Sequence, residues 1–123
     1  MDKVKILYVD DEPVNLKLFE VILQKKYHVL TASDGFEGLK VVNQNNDIKV
    51  ILSDMKMPNM SGIQFIYKAV ELSPDSYYYV LTGFDVSDEI SDAINRGIIK
   101  KYFRKPFNIN EISLEIESVL SKN

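Results

Sequence analysis

Short apolar segments alternate with longer amphipathic ones five times along the chain, and no other feature constrains the fold as much. The short segments are residues 4–9, 27–32, 50–53, 77–82 and 100–103. They are strand-length and rich in β-branched and aromatic residues. Ile6, Leu7 and Val9, like Val50, Ile51 and Leu52, form nearly continuous apolar runs. Such runs mark strands buried on both faces, as in parallel sheets. The longer segments carry helix punctuation. Pro13 suits a first helical turn, and Val14, Leu18, Val21 and Ile22 follow it at helical spacing. Ser33 or Asp34 caps a second helix through Val42, and Ser61 caps a third through Leu72. Asp85 or Ser87 opens a fourth, with Val86, Ile90, Ala93 and Ile94 on one stripe, and Arg96-Gly97 closes it. Asn108 caps the fifth, whose stripe is Ile109, Ile112, Ile116, Val119 and Leu120. Residues 43–46 read as a polar loop. Strand–helix alternation of this kind predicts an α/β fold with a parallel sheet and right-handed crossovers.

Composition narrows the class. The chain has 123 residues, with 46% apolar content and a formal charge of −3. That predicts one globular domain over residues 1–123, with a core of its own and no room for a second, output domain. The absence of cysteine excludes disulfides, thiolate metal sites and cysteine nucleophiles, and the lone His28 excludes multi-histidine sites. The slight acidity argues against direct nucleic-acid binding. No apolar run reaches the length of a membrane span, and the start lacks the apolar region of a signal peptide. A soluble cytoplasmic domain is expected, with no membrane partner.

In open α/β sheets, ligands bind beyond the carboxyl ends of the strands. The first strand ends in Asp10-Asp11-Glu12, the third in Asp54, the fourth in Thr82-Gly83 and the fifth in Lys105-Pro106. Each piece alone has a plain structural role. The first acids suit a helix N-terminus. Asp54 fits a loop, Thr82 a strand end and Lys105 a solvated surface. Together they place acids, a hydroxyl and an ammonium on one rim. Clustered carboxylates raise each other's pKa unless a cation joins them. An all-oxygen donor set suits a hard ion, Mg²⁺ before Ca²⁺ or a transition metal.

At these residues the chain resembles the response-regulator receiver domains of two-component signalling. The resemblance rests on the segments Val9-Asp10-Asp11-Glu12-Pro13, Asp54-Met55-Lys56-Met57-Pro58-Asn59-Met60-Ser61-Gly62, Leu81-Thr82-Gly83 and Lys105-Pro106-Phe107. It implies a flavodoxin-like (βα)5 fold, a doubly wound five-stranded parallel sheet in the order 2-1-3-4-5. It implies that Asp54 is the phosphoacceptor, taking a phosphoryl group from a sensor histidine kinase or a histidine phosphotransfer protein. It implies that Mg²⁺ is held by Asp11, Asp54 and the Lys56 backbone carbonyl, with Asp10 binding through water. Thr82 resembles the hydroxyl that turns in to the phosphoryl group. Lys105 resembles the lysine that pairs with it, and Pro106 the proline after a cis peptide bond. Gly83 leaves room at the acceptor.

Tyr102 occupies the family's aromatic switch position, so the fourth helix, fifth strand and fifth helix form the implied output surface. Lys101, Tyr102 and Leu114 are its candidate contacts, since Leu114 lies off its helix stripe. The implied partners are the phosphodonor, a downstream protein or output domain, and a phosphorylation-dependent homodimer. In such a dimer Asp85, Asp88, Glu89 and Asp92 pair across the symmetric contact; otherwise they form a solvated face. Lys56 and Phe84 resemble the family positions that flank the approach of water to the acyl phosphate. Tyr77, Tyr78 and Tyr79 fill a buried strand, and at least one hydroxyl needs a partner. The chain is expected to be a signalling phosphoacceptor that catalyses only its own phosphorylation and dephosphorylation. Residues 81–102 loosely resemble receivers joined to cyclic-di-GMP phosphodiesterase domains, so a piece of a larger hybrid kinase or regulator is an alternative. A haloacid-dehalogenase-type phosphatase needs a second Asp where this chain has Lys56. A flavodoxin-like FMN carrier needs a hydroxyl- and glycine-rich loop where it has three acids.

Overall fold

A computed structural model describes residues 3–83 and 86–121. The elements are β1 (Lys5–Val9), α1 (Pro13–Leu23), β2 (His28–Ala32), α2 (Gly35–Gln44), β3 (Ile48–Asp54), α3 (Gly62–Leu72), β4 (Tyr77–Thr82), α4 (Asp88–Asn95), β5 (Lys101–Arg104) and α5 (Ile109–Leu120). All four strand pairings are parallel, and the sheet order is β2-β1-β3-β4-β5. The fold is the flavodoxin-like (βα)5 architecture that the resemblance implies.

Alternation along the buried strands divides the core in two. Leu7, Val9, Ile51, Tyr78 and Val80 face one way, against Val42, Phe65, Ile66, Ile90 and Ala93. Ile6, Tyr8, Val50, Leu52, Tyr79 and Leu81 face the other, against Phe19, Leu23, Ile112, Ile116 and Val119. Helices α2, α3 and α4 therefore cover one face, and α1 and α5 the other.

Local capping sets most helix starts. Asp34, not Ser33, caps α2 and accepts from the Glu37 N–H at 2.8 Å. Ser61 and Gln64 form a reciprocal capping box at α3. Ser87 caps α4, while Phe84 and Asp85 lie outside the described residues. Asn108 caps α5. Gly97 takes a left-handed φ of 75° after α4, the conformation glycine allows at a helix end.

Two expectations need correction. Helix α2 runs on to Gln44, so only the second half of the predicted 43–46 loop is loop. Helix α1 forms where predicted but turns its other face inward. Val14, Leu18, Val21 and Ile22 are exposed, and Phe19 and Leu23 are buried with Leu16 packed beside them. The helix is apolar on both sides, so periodicity alone did not choose between them. Phe19 decides the orientation, because its ring stacks on the buried Tyr8 ring with centroids 4.4 Å apart. Leu114 is 67% exposed on α5, as its position off the stripe predicts. Among the described residues no helix is long and apolar enough to cross a membrane.

Candidate functional site

Sheet register assembles the site. Val9 pairs with Ser53, so Asp10 emerges beside Asp54. Asp54 pairs with Leu81, and Thr82 pairs with Arg104. The next residue after each pair reaches the same rim, which brings Thr82 and Lys105 alongside the acids. One carboxylate oxygen from each of Asp10, Asp11 and Asp54 lies within 4.8 Å of the others. Asp10 is fully buried, Asp54 is 5% exposed and Asp11 faces solvent. The Lys105 Nζ stands 2.9 Å from Asp54 Oδ2 and 3.8 Å from Asp10 Oδ2. The Lys105–Pro106 bond is cis.

Three carboxylates gather beside the Lys105 ammonium, and two of those acids are buried. Burial pushes the Asp54 carboxyl above the usual carboxylate range. The hydrogen bond from Lys105 opposes that, and the charges of Asp10 and Asp11 add to it. A hard divalent cation fits this donor set, because it supplies positive charge to oxygen ligands.

Asp10 is held from three sides. Its Oδ1 accepts from the Glu12 N–H at 3.0 Å, and its Oδ2 accepts from the Asn15 amide at 3.2 Å and from the Tyr8 hydroxyl. Burial, then the bond to Asp10, pushes the Tyr8 phenol well above its ordinary range, so it remains a donor. Tyr8 and Asn15 are site residues that the sequence reading did not single out. The signal was present in the spacing, since Tyr8 lies two residues before Asp10, which directly follows β1, and a period of two gives them one face.

The backbone behind Asp54 is equally constrained. A Cβ on Gly62 would come within 2.3 Å of the Asp54 carbonyl oxygen, so only glycine lets the α3 N-terminus close on the end of β3. The Gly62 N–H donates to Met55 O at 2.8 Å and fixes that approach. Asp11, Glu12, Asp54, Lys56, Met57, Pro58, Gly83 and Lys105 line an open cleft of about 520 Å³. A Cβ on Gly83 would meet nothing nearer than Lys105 Cβ at 4.0 Å, so protein packing does not demand glycine there.

Residues 6–117 match the response regulator receiver domain family. The chain belongs to that family. The sporulation initiation phosphotransferase F of Bacillus subtilis is 30% identical over 117 residues, covering 94% of this chain and 93% of that one. The hydrogenase transcriptional regulatory protein HoxA of Bradyrhizobium diazoefficiens is 28% identical over 107 residues. There the match covers 87% of this chain and only 22% of the relative. The crystal structure of a response regulator receiver domain protein from Clostridium thermocellum is 33% identical with a TM-score of 0.88, covering 97% of this chain and 95% of that one. Receiver domains are signalling modules that typically need a metal ion, and the three-acid cluster of this receiver is suited to one. Response-regulator relatives also imply interactions with kinases and output domains.

The remaining predicted residues lie along one side of this receiver. Thr82 is buried at the rim. Tyr102 is half-buried against the α3–α4 side of the core. It lines a surface cleft of about 460 Å³ with Lys101, Arg104, Asn108 and Glu111. Lys101 pairs with Glu115 at 3.8 Å and lies over the Phe103 ring. Glu115 also accepts from the Tyr79 hydroxyl at 2.7 Å, and the Tyr78 hydroxyl donates to Ser73 O at 2.8 Å. Both buried tyrosines thus find the partners their burial requires.

Proposed function

We propose that this receiver accepts a phosphoryl group on Asp54 from a phosphohistidine of a sensor kinase or phosphotransfer protein, in a Mg²⁺-dependent reaction. The observation that carries this reading is the cluster of Asp10, Asp11 and Asp54 with the Lys105 ammonium 2.9 Å from Asp54. Asp11, Asp54 and the Lys56 carbonyl would hold the ion directly, and Asp10 would hold it through water. Once bound, Mg²⁺ supplies positive charge against the oxygens of the transferring group.

An Asp54 carboxylate oxygen attacks the phosphorus in line with the leaving nitrogen. The new O–P bond forms as the P–N bond breaks, and the donor imidazole departs with the electron pair. Little covalent work falls to the protein, which positions the groups and offsets charge. Lys105 moves from pairing with the carboxylate to pairing with a phosphoryl oxygen. Thr82 donates its hydroxyl to another. Both contacts strengthen only as the phosphoryl group arrives, so they favour the phosphorylated conformation. Repacking around Thr82 draws Tyr102 inward and alters the surface of α4, β5 and α5, where Lys101 and Leu114 meet a downstream protein, an output domain or a second copy. In a longer regulator, such as the HoxA relative, the same change would act on the attached domains.

The donor must bury surface beside the cleft. The exposed apolar row Val14, Leu18, Val21 and Ile22 starts two residues after Glu12, a residue of the cleft wall. We assign this row to the histidine-bearing domain of the donor. Its apolar character matches a partner that docks by burial while its phosphohistidine reaches Asp54.

The direct test is chemical. Incubation with a small phosphodonor and Mg²⁺ adds a single acid-stable, base-labile phosphate to the protein, and Asp54→Asn abolishes it. Equal labelling of the variant would overturn the assignment.

A further inference from the structure

We propose that Tyr8 is a positioning residue of the acceptor site, its hydroxyl fixing the buried Asp10 carboxylate for the divalent cation. This rests on the reading of the three acids as that cation's site.

Tyr8 is fully buried in the core face covered by α1 and α5. Phenylalanine would fill the same space without bringing a polar group into it. A buried phenol costs free energy unless its hydroxyl is satisfied, and here it is satisfied by Asp10 Oδ2. The ring is itself fixed on two sides. It stacks on Phe19 of α1 with centroids 4.4 Å apart, and meets Phe107 edge-on at 6.2 Å. Phe107 lies two residues after Lys105, the cation of the site. One ring therefore braces the Asp10 carboxylate, the first helix and the segment carrying Lys105.

The donors around Asp10 define what it offers. An ionised carboxylate has about four lone-pair sites. The Tyr8 hydroxyl and the Asn15 amide occupy Oδ2, and the Glu12 N–H occupies one site of Oδ1. One acceptor position, on Oδ1, remains for the ion or a water of its shell. Groups that orient a metal-binding carboxylate from behind in this way set its affinity without touching the ion.

The test measures Mg²⁺ affinity, not phosphorylation. Calorimetric titration of the unphosphorylated full chain compares the parent, Tyr8→Phe, Asp10→Asn and the double variant. Tyr8→Phe keeps both ring contacts and removes only the hydroxyl. It should raise the Mg²⁺ Kd by about 3- to 10-fold, below the 10–100-fold typical of partners bonded directly to a metal ligand. In the Asp10→Asn background the same change should do nothing further, because the carboxylate it orients is gone. An unchanged Kd in Tyr8→Phe overturns the proposal. An equal rise in both backgrounds also overturns it, since the effect would then run through packing. A second measurement needs no variant. The Tyr8 Cζ resonance of the parent should move on Mg²⁺ addition in step with binding, and an unmoved resonance counts against the proposal. Failure of the parent to bind Mg²⁺ saturably would instead overturn the reading of the acid cluster, and this assignment with it.

Discussion

Asp54 is the residue on which opposing pressures meet. Burial and two neighbouring carboxylates favour its proton, and Lys105 favours its charge. The net direction is upward, so without metal the folded chain holds that proton to higher pH than the unfolded chain does. Between those two values the native state binds more protons, and stability falls as pH rises through the interval. Above that interval the full cost of the charge is present. In a chelator at pH 7, Asp54→Asn should therefore raise the Tm, and near pH 3, where the carboxyl is protonated in both states, the gain should vanish. Thermal unfolding in EDTA at the two pH values checks this, and no gain at pH 7 would contradict it. At this scale the sequence was most informative about charge. The acids, Thr82 and Lys105 each have a plain structural role alone, and could be read together because four strand ends bring them to one rim. Tyr8 was hidden, since a tyrosine in an apolar strand looks like core until its hydroxyl is followed to Asp10. Gly62 was similarly opaque, because its need for a missing Cβ depends on where the Asp54 carbonyl lies.

Among the elements, helix starts were legible and helix orientation was not. Ser61, Ser87 and Asn108 cap their helices through bonds within a few residues, so local sequence decides them. Asp34 prevails over Ser33 on the same local grounds. The orientation of α1 depends on what it meets, and the Tyr8 ring receives Phe19. That leaves Val14, Leu18, Val21 and Ile22 exposed, an apolar row of the kind that marks an interaction surface. If the row serves the donor, Leu18→Glu should slow transfer from a phosphohistidine domain by roughly 10-fold or more, the effect of a buried interface residue. Labelling by a small phosphodonor should be unchanged, since Leu18 lies outside the cleft. Equal loss with both donors would show damage to the fold or site, and no loss with either would remove α1 from the docking surface.

For the whole molecule, the apolar runs signalled a parallel sheet but were silent on strand order, which periodicity does not encode. The order came from the resemblance, and the structure bears it out. That order puts β1 and β3 side by side inside the sheet and β5 at its edge, so the acids stand on interior strands and Tyr102, the proposed switch residue, on the border. An edge strand paired on one side is easier to shift than a central one. Beryllofluoride with Mg²⁺, as a mimic of the phosphoryl group, should raise the Tm by mass action. It should also shift amide resonances along α4 and β5 as well as around Asp54. Shifts restricted to the neighbourhood of Asp54 would show that the site does not communicate with Tyr102.

The shared direction of the strands also has a practical use. Every group assigned to the chemistry lies at one end of the sheet, and the turn between α3 and β4 lies at the other, with Asp75 exposed in it. Since the chain contains no cysteine, Asp75→Cys provides a single thiol at that far end. Coupling through it would tether every molecule to a sensor surface in one orientation, with the acid-bearing rim facing the solution and open to an arriving donor.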